Sequence, residues 1–255
     1  MKKRETIFRV LGIVAGVVTL VLLVSFSPKN FMGYRVEDID VEIENAFENF
    51  FIDEEDVLEL IMSNEGDSIL GDAMGRVSLK EVESRIESHS FVKNAEVYRD
   101  LKGHLVVKAI QNKPVARLVS PRGQNAYIGE SGELLPVSLK YTARVPVITG
   151  RYVDALMEMS NVQDNEYAMK VKALIDFILA EEFWRMQVAQ LDIDSEGNIN
   201  MYTQIGDQTI EFGKATDVER KFKKLKIFYK QIMPTKGWNT YDRVNLAYKD
   251  QIICE

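Results

Sequence analysis

The chain has 255 residues, 46% hydrophobic and 28% charged, a composition typical of a packed core, and is long enough for one large or two modest domains. A single cysteine, Cys254, excludes an internal disulfide, and two histidines without a Cys/His cluster do not support a structural zinc site. The net charge is −7; residues 1–27 hold four basic residues and one acidic residue, so the remainder carries −10, which argues against nucleic-acid binding.

The N-terminus combines a basic tail, residues 1–9, with an uncharged apolar run over residues 10–26. A run of this length is at the lower limit for crossing a bilayer, so we predict one transmembrane helix over 10–26 and a linker over 27–33. The basic tail predicts a cytoplasmic N-terminus, with the rest of the chain on the other side of the membrane. A cleaved signal peptide is the alternative, but the run exceeds the usual hydrophobic region and no A-x-A site follows it.

A small α+β domain is predicted over residues 34–113. Alternating apolar residues from Tyr34 onward indicate its first strand. Asp53 then can cap a helix with an acidic first turn. The buried stripe of this helix comprises Val57, Leu58 and Ile61.

A second helix and a hairpin complete this domain. Ser78 and Glu81 have the spacing of a capping box at the start of the helix. Its apolar face comprises Leu79, Val82 and Ile86. Two β-rich runs follow, over 91–100 and 104–112, and the turn between them contains Gly103. The predicted element order is therefore β-α-α-β-β, with helices on one face of a small sheet.

The segment SHSFVKNAEVYRDLKGHLVVKAIQNKPVARL, residues 88–118, resembles the end of the POTRA domain in the FtsQ/DivIB family of bacterial cell-division proteins. The matching positions are Phe91, Val92, Ala95, Val97, Leu105, Val107, Pro114 and Ala116. The family often has proline where Ser90 stands and glutamate where Gln111 stands. A second stretch resembles the family more specifically, through an aromatic-Ile turn, a Leu-Pro pair, a second proline and a glycine. These residues are Tyr127, Ile128, Gly132, Leu135, Pro136, Pro146 and Gly150.

A second domain is predicted over residues 114–255, with a mixed α+β sheet that resembles the β-domain of the same family. Helical spacing over 165–184 indicates a long amphipathic helix. Its inward residues are Ala168, Val171, Leu174, Ile175, Ile178 and Leu179. Strands with Gly-containing turns are predicted over 188–213. Thr216 can cap a last helix, which Pro234 and Gly237 end.

The chain ends in a predicted strand, because Val244, Leu246, Tyr248 and Ile252 fall on alternate positions. An exposed strand edge can accept a strand from a partner. The family resemblance implies that this strand docks the small single-span coiled-coil division proteins of the FtsB (DivIC) and FtsL types. The family motif there, Val-Asp-Leu-Arg-Tyr, is matched at three positions, with Asn245 and Ala247 as departures. The candidate partner-binding residues are Tyr248, Lys249, Asp250, Gln251 and Ile252.

No motif indicates catalysis, a cofactor or a metal. The acidic run at Asp192–Gly197 lacks the late glutamate of a calcium loop and is typical of a hairpin turn. Ser131 lacks the spacing of a nucleophile elbow, and His89 and His104 have no partner arrangement typical of catalysis. The leading interpretation is a non-enzymatic scaffold of the division machinery, anchored in the inner membrane at the septum. The alternatives are another POTRA-containing secretion or assembly protein, or an anchored cell-wall enzyme.

Overall fold

The structure is a computed structural model, and it describes residues 16–21, 35–45, 50–62, 69–71, 77–100, 102–249 and 251–255. Residues 16–21 are helical and exposed. The rest of the predicted transmembrane helix, 10–15 and 22–26, lies outside the described residues, as do the basic tail and the linker. Among the described residues, no helix is both long and apolar enough to cross a membrane. The chain divides into an N-terminal unit, residues 1–44, 53–89 and 94–110, and a C-terminal unit, residues 45–52, 90–93 and 111–255.

The N-terminal unit confirms the predicted β-α-α-β-β order. Its elements are β1 (Ile39–Glu44), α1 (Glu54–Met62), α2 (Leu79–Glu87), β2 (Val92–Arg99) and β3 (Leu105–Gln111). The strand order is β1-β3-β2, and β1 runs parallel to β3 with Ile39 opposite Leu105. The predicted helix stripes are largely confirmed, since Val57, Ile61, Val82 and Ile86 are buried, whereas Leu58 and Leu79 are half-buried.

The two helix starts differ in how they are capped. The Asp53 carboxylate accepts a hydrogen bond from the Asp56 amide, and the Asp56 carboxylate accepts one from the Asp53 amide, both at 3.0 Å. This reciprocal pair confirms Asp53 as a cap. Ser78 occupies the N-cap position of α2, but its side chain makes no capping hydrogen bond. The predicted Ser78–Glu81 capping box is therefore wrong.

Two glutamates of α2 bind the outer edge of the unit's sheet. Glu83 accepts a hydrogen bond from the Val97 amide at 2.9 Å, and Glu87 accepts one from the Ala95 amide at 3.1 Å. Both amides belong to β2, the last strand in the order. Glu83 and Glu87 are four residues apart and therefore lie on the same face of α2. The Ala95 and Val97 amides are two residues apart and therefore point to the same side of β2, so each amide has one carboxylate opposite it.

The C-terminal unit is built on a nine-stranded mixed sheet. Its strands are β4 (Pro114–Val119), β5 (Asn125–Gly129), β6 (Leu134–Leu135), β7 (Val147–Thr149), β8 (Val188–Ile193), β9 (Ile199–Thr203), β10 (Thr209–Gly213), β11 (Arg243–Asn245) and β12 (Ile253–Cys254). Their order is β12-β11-β10-β9-β8-β7-β4-β5-β6. The pairs β4–β7, β7–β8 and β10–β11 are parallel and the others are antiparallel. The predicted mixed α+β domain is confirmed.

The helices of this unit are α3 (Val153–Met157), α4 (Glu166–Ala180), α5 (Glu182–Gln187), α6 (Val218–Ile227) and α7 (Met233–Lys236). The helix predicted over 165–184 is thus two helices, and Asn165 caps the first by accepting hydrogen bonds from the Tyr167 and Ala168 amides. Asp217, and not Thr216, precedes α6 as its N-cap residue. A π-helical segment, Phe228–Ile232, joins α6 to α7.

Pro234 does not end the last helix, contrary to the prediction. It lies in the first turn of α7, where the amide that proline lacks is not required. The preceding π-helical segment shifts the hydrogen-bond ladder and lets the chain continue through the proline. Gly237, with φ of +102°, then ends the helix as predicted.

One core cluster occupies the C-terminal unit. The inward faces of α4 and α6 contribute Leu174, Ile175, Phe222 and Leu225, all at most 2% exposed, and Trp184 of α5 lies 4.8 Å from Phe222 between ring centroids. The C-terminal unit also includes two earlier segments of the chain, 45–52 and 90–93. Phe51 of the first segment stacks on Phe91 of the second, with 4.2 Å between the ring centroids.

Candidate partner-binding edge

The end of the chain forms two short strands and not the single strand that the alternating pattern predicts. β11 runs parallel to β10, with Val244 opposite Ile210. Leu246 still donates its N–H to the Glu211 carbonyl of β10 at 3.0 Å; the chain then leaves the sheet and returns as β12, antiparallel to β11. β12 is the last strand in the order, so Ile253–Cys254 forms one edge of the nine-stranded sheet, and β6 forms the other.

A buried lysine holds the connection between the two strands. The Lys224 ammonium, on α6, donates hydrogen bonds to the carbonyl oxygens of Leu246 at 2.7 Å, Tyr248 at 2.5 Å and Gln251 at 3.4 Å. Lys224 is 9% exposed. Three carbonyls drawn to one ammonium cannot lie in a straight strand, so this contact accounts for the turn. We name Lys224 and these three carbonyls the lysine clamp.

Polar side chains at the start of the connection form a second contact. The side-chain nitrogen of Asn245 donates a hydrogen bond to a Glu211 carboxylate oxygen at 2.6 Å. The side-chain oxygen of Asn245 accepts one from the backbone N–H of Ala247 at 2.9 Å. Arg243 forms an ion pair with the same glutamate, which raises the pKa of the guanidinium through a hydrogen bond and the opposite charge. An aspartate at 245 would place a second carboxylate against Glu211, so an asparagine side chain suits this position better.

Four of the five predicted partner-binding residues are described by the structure, and these four belong to the connection and not to a strand. Tyr248 is 51% exposed, Lys249 and Gln251 are exposed, and Ile252 is half-buried against the core. Asp250 lies outside the described residues. Their role in binding a partner stays a prediction.

The open edge of β12 consists of backbone groups that the prediction missed. Arg243 and Glu255 exchange both of their backbone hydrogen bonds, at 3.0 and 3.1 Å. Because hydrogen-bonded and non-hydrogen-bonded pairs alternate in an antiparallel ladder, Cys254, opposite Val244, directs its N–H and C=O away from β11. Its thiol packs against the core, and burial raises the thiol pKa.

Lys224 was also missed, although the sequence contains a signal for it. Lys221 and Lys224 fall at helical spacing on the apolar stripe of α6 that contains Phe222 and Leu225, and both lysines are buried. A lysine on a buried stripe needs acceptors for its ammonium, here the backbone carbonyls of the C-terminal connection.

The acidic run at Asp192–Gly197 is a hairpin turn between β8 and β9, as predicted. The Asp194 carboxylate accepts hydrogen bonds from the Glu196 and Asn198 amides at 2.8 Å and from the Asn198 side chain. Partial burial opposes ionisation, but these hydrogen bonds hold the pKa of Asp194 below its ordinary value. In the part of the chain that the structure describes, no group of histidine, cysteine or acidic side chains could hold a metal ion.

Comparison with known proteins shows which family the chain is similar to. Residues 113–255, more than half of the chain, match the family model described as FtsQ/DivIB, C-terminal related. The chain belongs to the FtsQ/DivIB family. Residues 35–109 match the model of a POTRA-like domain. The chain is also similar to the cell division protein FtsQ of Salinibacter ruber (strain DSM 13855 / M31), with 23% identity over 191 residues, covering 72% of this chain and 71% of that relative.

Membership in the FtsQ/DivIB family confirms the resemblance found in the sequence and makes the chain a cell-division protein with a POTRA-like domain. The two matched segments, 35–109 and 113–255, follow each other in the sequence, and the boundary between them falls where β3 ends and before β4 begins. The lysine clamp and β12 both lie within the segment that matches the C-terminal family model.

Proposed function

We propose that this FtsQ/DivIB protein is a non-enzymatic scaffold of the bacterial division machinery, anchored in the inner membrane at the septum. Residues 10–26 would form the anchor, with the N-terminus in the cytoplasm and the two units outside. The C-terminal edge would dock small single-span coiled-coil proteins of the FtsB (DivIC) and FtsL types. The POTRA-like domain would contact other septal proteins.

The open edge of β12 carries the docking proposal. Cys254 offers one donor and one acceptor outward, and a partner strand that pairs with them would extend the nine-stranded sheet. Tyr248 precedes this edge by five residues in the sequence, and its ring is exposed. The ring could therefore pack against a side chain of the partner strand. The lysine clamp keeps the connection in one conformation, which lowers the entropy that binding would cost.

The edge of the N-terminal unit offers a useful contrast. The Ala95 and Val97 amides of β2 already donate to Glu87 and Glu83, so a partner strand there would have to displace two carboxylates. Natural sheets protect edges by such coverage. In the described residues, no comparable side chain accepts a hydrogen bond from the Cys254 amide, which favours β12 as the site of strand addition.

Photo-crosslinking in living cells tests this proposal. A photoreactive residue at Tyr248 is compared with one at Tyr98, an aromatic residue of similar exposure on the POTRA-like domain, at 51% and 41% exposed. Mass spectrometry identifies each captured protein. We expect Tyr248 to capture a small single-span coiled-coil protein. Capture at Tyr98 without capture at Tyr248 would show that β12 only completes the sheet.

A proline substitution separates the edge from the fold. Cys254→Pro removes an N–H that faces away from β11, so the ladder with β11 stays intact and crosslinking at Tyr248 is expected to fall. Ile253→Pro is the matched control, because the same alternation directs the Ile253 N–H toward Asn245, and its loss is expected to destabilise the unit. Unchanged crosslinking in Cys254→Pro would refute docking through the backbone of β12.

A further inference from the structure

A cleft of ≈ 670 Å³ lies in the C-terminal unit, away from β12 in the strand order. It is lined at the starts of three adjacent parallel strands, by Pro114 of β4, Pro146 just before β7 and Val188 of β8. Leu179 and Tyr141 add apolar surface. Its volume is in the range of pockets that bind small molecules, which is about 300–1,000 Å³.

The charge of this cleft is opposite to that of the protein. Lys113, Arg144 and Arg185 line it, and none of the described residues that line it is acidic. Outside residues 1–27 the chain carries −10, so a local group of three cations is an exception to the overall balance. Within the described ranges, neither arginine forms an ion pair, and both are exposed. Screening limits the influence of distant acidic residues to about 8 Å at physiological salt.

Two irregularities of the sheet open onto the same cleft. The β4–β5 register shifts between Pro114 and Ala116, and the β8–β9 register shifts between Val188 and Gln190. The residues inside these shifts, Val115 and Ala189, both line the cleft. A bulged residue is left out of the ladder, and bulges are over-represented next to functional sites. The cleft therefore combines cations, apolar walls and backbone outside the regular ladder.

We propose that this cleft binds an acidic peptide segment of a partner protein. Arg144 and Arg185 hold carboxylates of the segment, because a guanidinium donates two parallel hydrogen bonds that match a carboxylate. The apolar walls at Leu179 and Val188 take the aliphatic parts of its side chains. The cleft is too large for one small anion and too apolar for a charge-only contact. This site uses no residue of the lysine clamp or β12, so it stands apart from the docking edge.

Binding of labelled poly-L-glutamate to the full-length chain tests the site, with fluorescence anisotropy as the readout. Polyphosphate and vesicles of anionic phospholipid are the other probes, because each offers anions without a peptide. We expect saturable binding of poly-L-glutamate that weakens about tenfold in Arg144→Ala/Arg185→Ala, since each charged hydrogen bond contributes strongly in a partly desolvated site. Replacement of both arginines by lysine is expected to recover only part of the affinity.

The matched control is Arg151→Ala/Lys230→Ala, which removes two exposed cations from the same unit outside the cleft. This control is expected to bind poly-L-glutamate within about twofold of the unaltered chain, because exposed charges at a distance are screened. Equal weakening in both double variants would mean general electrostatic attraction and would overturn the site. Binding of polyphosphate or vesicles alone, even if it depended on the cleft, would overturn the assignment of a peptide ligand.

Discussion

Replacement of Lys224 by methionine tests the lysine clamp most directly. Methionine keeps most of the apolar length of the side chain but removes the ammonium that binds the Leu246, Tyr248 and Gln251 carbonyls. A hydrogen bond to a charged group contributes about 1.5–3 kcal/mol. The contact at 3.4 Å contributes least, and the Tyr248 carbonyl can regain water. We therefore expect the free energy of unfolding to fall by about 3 kcal/mol.

Tryptophan fluorescence during urea unfolding provides the assay. The two tryptophans, Trp184 and Trp238, both belong to the C-terminal unit, so their signal reports that unit alone. Hydrogen exchange adds a local measurement, because the 246–252 amides should exchange faster when the connection loses its clamp. Binding of a partner at β12 should weaken in parallel, since the connection would no longer be held in one conformation.

Lys226→Met is the matched control, two residues further along the same helix. Lys226 pairs with Glu181 at 2.5 Å, but both side chains are about 40% exposed, at 41% and 40%. Such a pair contributes about 0–1 kcal/mol. If Lys224→Met lowered the stability no more than Lys226→Met, the clamp would not explain the turn, and another cause for the two-strand ending would be required.

Two further predictions concern pH and backbone strain. Burial lowers the pKa of Lys221 to about 8, so the unfolded chain binds more protons between about pH 8 and pH 10, and the stability should rise with pH there by up to about 3 kcal/mol. Lys221→Met should remove this rise in urea titrations. Above about pH 10 the half-buried Tyr167 and the buried Tyr229, whose pKa values are raised by desolvation, act in the opposite direction. Gly150 has φ of +100°, and a Cβ there would meet a carbonyl oxygen at the end of β8, so Gly150→Ala should destabilise the unit by about 3 kcal/mol or more in thermal unfolding. Gly123→Ala, at φ of +85° with open space around the new Cβ, should cost only about 1 kcal/mol, and an equal cost for the two would contradict the clash.

The N-terminal unit could be predicted because local signals specify each of its elements. Asp53 caps its helix through a residue three positions away, and the hairpin turn joins two runs that are adjacent in sequence. The predicted Ser78 cap was wrong, although Ser78 and Glu81 have the spacing of a capping box. A capping box requires a particular side-chain rotamer, and sequence spacing does not determine it.

The turn after Asn245 could not be predicted, because an alternating pattern is the same for one strand and for two strands joined by a turn. The contact that decides between them comes from Lys224, 22 to 27 residues earlier in the chain. The cleft was missed for the same reason, since Lys113, Arg144 and Arg185 are far apart in sequence and meet only where three parallel strands begin. Long-range contacts of this kind leave no periodic trace in the sequence.

The shortness of β12 also bears on self-association. A long open strand would template pairing between copies of the chain. An edge of two residues, Ile253–Cys254, offers so few backbone hydrogen bonds, at about 0.5–1.5 kcal/mol each, that their sum falls below the cost of holding two proteins together. Backbone pairing there is thus insufficient without complementary side chains, and a copy of the same chain would have to supply them too. The brevity of the edge therefore disfavours pairing between copies of the chain through the backbone alone.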